Sequence, residues 1–286
     1  MGIQVVGTLS RLEAWQGKVI IAIKLILFIL ITGLFSGTIW ADGFDHSEWN
    51  TVLKKNVIVI DNGTANQVDY ARIAADPSLL NHYLNALSAV TQQQFNSWNQ
   101  EQQLAFLINA YNAWTVSLIV TAPSGITSIK DIGSWFTTPW KKRFIPLLGQ
   151  QRSLDDIEHT LIRGSGRYND PRIHFAVNCA SIGCPSLRAS AYTGNQLQLQ
   201  LDDAVNKFLG DRSRNRIEDQ TLKISSIFKW YGEDFAKGWL GYNSLTQFLT
   251  HYQQALGLTQ QQTKELNANT IDIEFMDYDW RLNAKR

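Results

Sequence analysis

An excess of charge is the first thing this sequence lacks. Its 26 basic and 25 acidic residues leave a formal net charge of +1. No arginine-rich helix or zinc-finger spacing supplies a local basic footprint, so nucleic acid is set aside as a partner. There is no glycine-rich phosphate loop and no alternation of strand and helix of the βαβ kind, which excludes the nucleotide-binding α/β folds. No G-x-S-x-G occurs, so the nucleophile elbow of the serine hydrolases is missing too. Nor does a repeat, a low-complexity run or a Pro/Ser/Gly linker divide the chain, which reads as one domain after an N-terminal segment. Cysteine is scarce. The two that occur, Cys179 and Cys184, stand within six residues of each other.

One long apolar run is present. Residues 19–40, VIIAIKLILFILITGLFSGTIW, follow Arg11 and Lys18 and are interrupted by Lys24 alone among charged residues. A basic start, an apolar core and small residues before Ala41 predict a secretory signal peptide over residues 1–41. An uncleaved anchor is the alternative, since the run is long enough to span a bilayer. Either way residues 42–286 leave the cytoplasm, as a periplasmic protein or as one tethered to the membrane and facing the periplasm.

The stretch at 170–187, DPRIHFAVNCASIGCPSL, gathers both cysteines and a histidine. Asn169-Asp170-Pro171 reads as a turn and residues 172–178 as a short strand. Alternation along a strand puts His174, Ala176 and Asn178 on one face and Phe175, Val177 and Cys179 on the other, which turns Cys179 away from His174. Cys184 precedes Pro185, a residue suited to the first position of a helix. As an N-cap its sulfur would meet backbone N–H groups and gain a lowered pKa.

Elsewhere the residues read mainly as helices. Residues 102–120 form the longest periodic segment, with Asn109 and Asn112 on the apolar stripe of Ala105, Val116 and Val120. Such buried amides need partners, and either pin nearby backbone or orient a group in a site. A helix opening at Ser153 carries Glu158 and His159, adjacent residues that do not face each other on an α-helix, so the pair is a charged surface or sends one member inward. Residues 133–146 combine aromatics with Lys141-Lys142-Arg143, either an anion-binding loop or a solvated face. Glu233 and Asp234 read as solvent-facing. With hairpins around Gly149-Gln150 and Asp219-Gln220 and a half-exposed strand within 270–280, the class is α+β, mainly α-helical with small antiparallel sheets.

HFAVNCASIGCPSL (174–187), LAFLINAYNA (104–113), SLDDIEHTLIR (153–163) and ISSIFKWYGEDF (224–235) together resemble the domain of unknown function 547 family. The likeness runs from Phe44 onward and is strongest between Trp98 and Leu209. It implies the domain assignment and the choice of residues, and no mechanism.

Three readings of the cysteine pair stand. A disulfide would close a short loop and suits an exported protein. Catalysis by one thiolate, with His174 or His159 as base, is the second, with Cys184 the expected nucleophile and the Gly183-Cys184-Pro185 turn a source of oxyanion donors. Chain order departs from papain-like enzymes, in which the cysteine precedes the histidine. Zinc on Cys179, Cys184, His174 and His159 is the third, with an interval between the cysteines at the wide end for a knuckle; no metal and no cofactor is assigned. Two functions follow. One is a cysteine-dependent hydrolase or acyltransferase acting on a peptide-like or envelope substrate. The other is a non-catalytic binding or scaffold domain, stapled by a disulfide, for a small-molecule, peptide or envelope partner.

Overall fold

A computed structural model describes residues 43–134 and 137–286. The expected signal segment, with its boundary at Ala41, and the pair Trp135 and Phe136 lie outside the described residues. From Gly43 to Arg286 the chain forms one compact unit.

Helix α1 (Ser47–Asn56), the hairpin β1 (Val57–Ile60) and β2 (Ala65–Val68), and helices α2 (Tyr70–Ala75), α3 (Ser78–Ala89) and α4 (Gln92–Ser97) precede the central helix α5 (Gln100–Val120). The β1–β2 turn holds Asp61 and Asn62 at positive φ, a conformation their short polar side chains tolerate. Asn99 caps α5 through the Gln102 N–H, and the Gln102 side chain answers to the Asn99 N–H, so the helix start satisfies its own orphan donors. Beyond Glu101 the helix carries no charge. It is long and apolar enough to cross a membrane, yet most of it is buried inside the fold, where it forms the axis of a helical core with Trp49, Tyr83, Leu87 and Phe106.

The hairpin of β3 (Ile145–Leu147) and β4 (Gln150–Arg152) follows. A second core is aromatic. Phe175, Phe208, Phe228, Phe235 and Phe248 pack with tilted rings in one cluster with Leu222 and Ile224. It is built from α6 (Leu197–Gly210), the hairpin β5 (Arg216–Glu218) and β6 (Thr221–Ser225), the single turn α7 (Ile227–Trp230), and α8 (Leu245–His251) with α9 (Gln253–Leu256). The last two are separated at Tyr252. After α10 (Gln260–Asn267), β7 (Ile273–Met276) runs parallel to β6, an addition to the otherwise antiparallel pairings of this mainly α-helical α+β fold.

Past β7 the chain crosses back over the cysteine loop. The N–H of Ile182 donates to the Arg281 carbonyl and that of Gly183 to the Asp279 carbonyl, each at 2.8 Å, while Asn283 bonds β2. A side chain at Gly183 would meet the Asp279 nitrogen at 2.9 Å and the Tyr278 ring at 3.0 Å, so only glycine lets this strap lie so close.

Candidate active site

The segment expected as a strand is helical. Pro171–Phe175 forms a 3₁₀ turn, because Pro171 presets its first φ and the Asp170 carboxylate caps the Arg172 N–H. Asp170 and Asp202 also neutralise the Arg172 guanidinium, which makes burial of that side chain tolerable. The turn threads the seam of the two cores: Ile173, Ala176 and Val177 join the helical one and Phe175 the aromatic one. Alternation therefore does not apply, and His174 and Cys179 line the same cleft.

His174 is 2% exposed. Its Nε2 lies 2.7 Å from Asp234 Oδ2, and its ring stacks on Tyr231 at 3.9 Å between centroids. Burial opposes ionisation of Asp234, but hydrogen bonds from His174, Arg163 and Lys237 hold its carboxyl well below the usual range. A carboxylate only accepts, so the His174 proton sits on Nε2 and Nδ1 presents a lone pair. Burial lowers the His174 pKa, which keeps that lone pair free. Nδ1 is buried and has no hydrogen-bond partner among the described residues. Asp234, expected to face solvent, is buried at the end of the ISSIFKWYGEDF motif; its place beside Tyr231 and Phe235 was the one sequence signal for this role.

The cysteines are free thiols, so the expected disulfide is not formed. Their electrostatic order is the reverse of the expected one. No helix follows Pro185, and Cys184 is no N-cap. Burial, then the hydrogen bond to Cys179, pushes the Cys184 thiol up. Cys179 is held down at about 7, first by its hydrogen bond from Cys184, and also, against burial, by the hydroxyls of Ser181 and Tyr278, each 3.2 Å from its sulfur. Burial keeps Tyr278 protonated and hence a donor. The Cys179 N–H points back to the Cys184 sulfur at 2.8 Å, the Cys184 N–H to the Ser181 carbonyl and the Gly183 N–H to the strap. The turn expected to offer oxyanion donors has none spare. The cleft has another: Tyr111 lines it, burial raises its pKa well above the ordinary value, and its hydroxyl bonds no group among the described residues.

Glu158 and His159 both reach the cleft, because residues 156–162 form a π-helix rather than the expected α-helix and the wider turn brings neighbours toward one side. Arg163 Nη1 donates to His159 Nδ1 at 2.9 Å, and the Tyr231 hydroxyl donates to Glu158. His159 is thus tied to Arg163, which leaves His174 as the imidazole beside Cys179. Among the described residues no set of three or more His, Cys, Asp or Glu side chains converges as a metal site, so the zinc reading has no geometry behind it. Lys141, Lys142 and Arg143 are exposed, a solvated face.

Both asparagines of α5 are buried and doubly bonded to backbone. Asn109 exchanges hydrogen bonds with the Tyr192 carbonyl and N–H at 2.8 and 3.0 Å. Asn112 donates to the Ala176 carbonyl at 2.9 Å and accepts from the Asn178 N–H at 2.8 Å. Asn109 thus pins a distant loop, and Asn112 pins the backbone between His174 and Cys179. The cleft holds about 200 Å³, and Trp140, Trp230 and Trp280 form its rim.

Fold and cleft together define an α+β domain built around a thiol pair, an imidazole and a carboxylate at the seam of two cores. Residues 95–209 match the family described as Protein of unknown function, DUF547. That stretch spans the central helix, the π-helix and the cysteine loop, whereas Asp234 and Tyr278 lie beyond it. No curated protein and no solved structure matches the chain.

Proposed function

We propose that the domain is a cysteine-dependent hydrolase or acyltransferase, with Cys179 rather than Cys184 as nucleophile, His174 as general base and acid, and Asp234 orienting the imidazole. The observation that carries this reading is the His174 ring, bound through Nε2 to Asp234 and left with an unpartnered Nδ1 in the cleft that holds the low-pKa thiol. No hydrogen bond joins His174 to Cys179; such pairs commonly tighten when substrate binds.

The Cys179 thiolate attacks an acyl carbon and forms the C–S bond, and the carbonyl oxygen takes up the electron pair as an oxyanion, which the Tyr111 hydroxyl is placed to meet. His174 Nδ1 carries the proton taken from the thiol and hands it to the departing amine or alcohol as the acyl–leaving-group bond breaks. Water, or an acceptor amine or alcohol, then loses a proton to His174, attacks the thioester and releases the thiol. Water makes the enzyme a hydrolase; a larger acceptor makes it an acyltransferase. A peptide-like or envelope substrate suits the aromatic rim, and the segment at 1–41 supports an exported setting, periplasmic or membrane-anchored. A binding role without catalysis would use the same rim, where Trp230 is 48% exposed.

A peptidyl vinyl sulfone tests the proposal. One adduct on Cys179 is expected, lost in Cys179→Ala and much slowed in His174→Ala and Asp234→Asn with folding intact. Equal labelling of Cys179 in all folded variants would remove the imidazole from the reaction and leave the binding role.

A further inference from the structure

We propose that the cleft recognises an ammonium group carried by the substrate close to its reacting acyl carbon, with the Glu158 carboxylate as the receiving anion. This rests on the acyl-transfer reading above and adds the substrate's charge to it.

Among the described residues that line the cleft there is no lysine or arginine, whereas Asp155 and Glu158 both line it. Glu158 is 5% exposed. A buried carboxylate needs a counter-charge, and a neutral donor alone leaves much of its desolvation cost unmet. The neighbouring cations make their hydrogen bonds elsewhere, and Arg163 acts on Glu158 only through its charge. Arg163 Nε lies 2.5 Å from Asp234 and its Nη1 donates to His159; Lys237 pairs with the other Asp234 oxygen. His159 Nδ1 lies 4.0 Å from Glu158 but accepts the Arg163 proton, so that nitrogen has none to offer. Glu158 keeps the Tyr231 hydroxyl, a neutral partner. His174, whose buried Nδ1 has no hydrogen-bond partner among the described residues, lines the same cleft. The rim also accepts an ammonium: Lys130 Nζ sits 3.5 Å from the Trp280 ring centroid. Its position outside the cleft lining leaves the interior negative, and a Cys179 thiolate adds to that sign. A substrate bearing a carboxylate beside its acyl group would meet repulsion there, and one bearing an ammonium would meet a charge-assisted partner.

Three probes decide it: glycinamide, whose ammonium adjoins an amide carbonyl, its neutral form N-acetylglycinamide, and the anion N-acetylglycinate. Binding is followed by rim tryptophan fluorescence on the Cys179→Ala protein, and on the wild type by protection of Cys179 from iodoacetamide. Glycinamide is expected to bind at least tenfold more tightly than the other two, and Glu158→Gln, which retains an acceptor for Tyr231, to erase that preference; Asp155→Asn should reduce it less. Equal binding of the three probes, tighter binding of the anion, or a preference unchanged in Glu158→Gln would overturn the proposal. If Glu158→Gln fails to fold, the probe series on the Cys179→Ala protein decides alone. Because that protein has no nucleophile, ammonium selectivity there stands or falls separately from the acyl-transfer chemistry, which the vinyl sulfone reports.

Discussion

Replacing Tyr278 by phenylalanine removes one of the donors that hold the Cys179 thiolate and leaves the ring, and with it the packing against Gly183, in place. A hydrogen bond to a charged group contributes about 1.5–3 kcal/mol. Ser181 and Cys184 remain on the sulfur, so the low end applies, and about 1.4 kcal/mol is about one pKa unit. Donors favour the charged form, so their loss raises the pKa: Cys179 should move from about 7 upward by that unit. At pH 7 the thiolate fraction would fall about fivefold, while the more basic thiolate gains about threefold in intrinsic nucleophilicity. The net rate at pH 7 therefore changes only about twofold, and the informative quantity is the midpoint of the rate–pH curve. The assay is iodoacetamide alkylation from pH 5 to 10, with peptide mass analysis to separate Cys179 from Cys184. Linkage gives a second check. A thiol whose folded pKa is depressed adds stability that is present above its unfolded value and lost as pH falls through the folded one. Tyr278→Phe should thus cost about 1.4 kcal/mol more above pH 9 than at pH 6. A midpoint still near that of the wild type, with a pH-independent melting loss, would refute the assignment of Tyr278 as a donor to sulfur.

Asn109→Ala and Asn112→Ala should each destabilise by about 1–3 kcal/mol through buried backbone groups left unsatisfied. Denaturant melts measure that loss, and only Asn112→Ala should also move the Cys179 alkylation midpoint, since only Asn112 bonds the 176–178 backbone. Cys184→Ala should keep vinyl sulfone labelling at Cys179 while raising its midpoint, because a donor to the thiolate is gone; loss of labelling in a folded Cys184→Ala would restore Cys184 as nucleophile. N-terminal sequencing of the protein recovered from its native compartment should begin near Asp42, and recovery of residues 1–41 on membranes would replace cleavage with anchorage.

The central helix and its buried asparagines were legible because a long apolar period with two amides on it has one physical solution, burial with backbone partners. The hairpin at Asp219-Gln220 was legible as well, and its turn holds both residues at positive φ. The geometry of the cysteine loop was not. Asn-Asp-Pro serves a strand boundary and a capped helical turn equally well, and the choice lay with Arg172, whose partner Asp202 stands on a distant helix. The order of the two thiol pKa values was hidden for a similar reason, since the residues that set it are remote: Tyr278 donates across 99 positions of sequence. Asp234 reads as a surface acid until His174 and Arg163 are folded against it. The π-helix that turns Glu158 and His159 toward one cleft is something hydrophobic periodicity does not announce.

The strap that crosses the cysteine loop gives this chain a built-in order of events. A chain in which β7 has not yet paired with β6, a contact of long sequence separation, does not hold Tyr278 at Cys179. Until then the thiol lacks this donor and the cover of the strap, and its reactivity is that of a more ordinary cysteine. A chain still being made or moved would carry a thiol that titrates like an ordinary cysteine, and the docking of β7 would bring its titration toward neutrality.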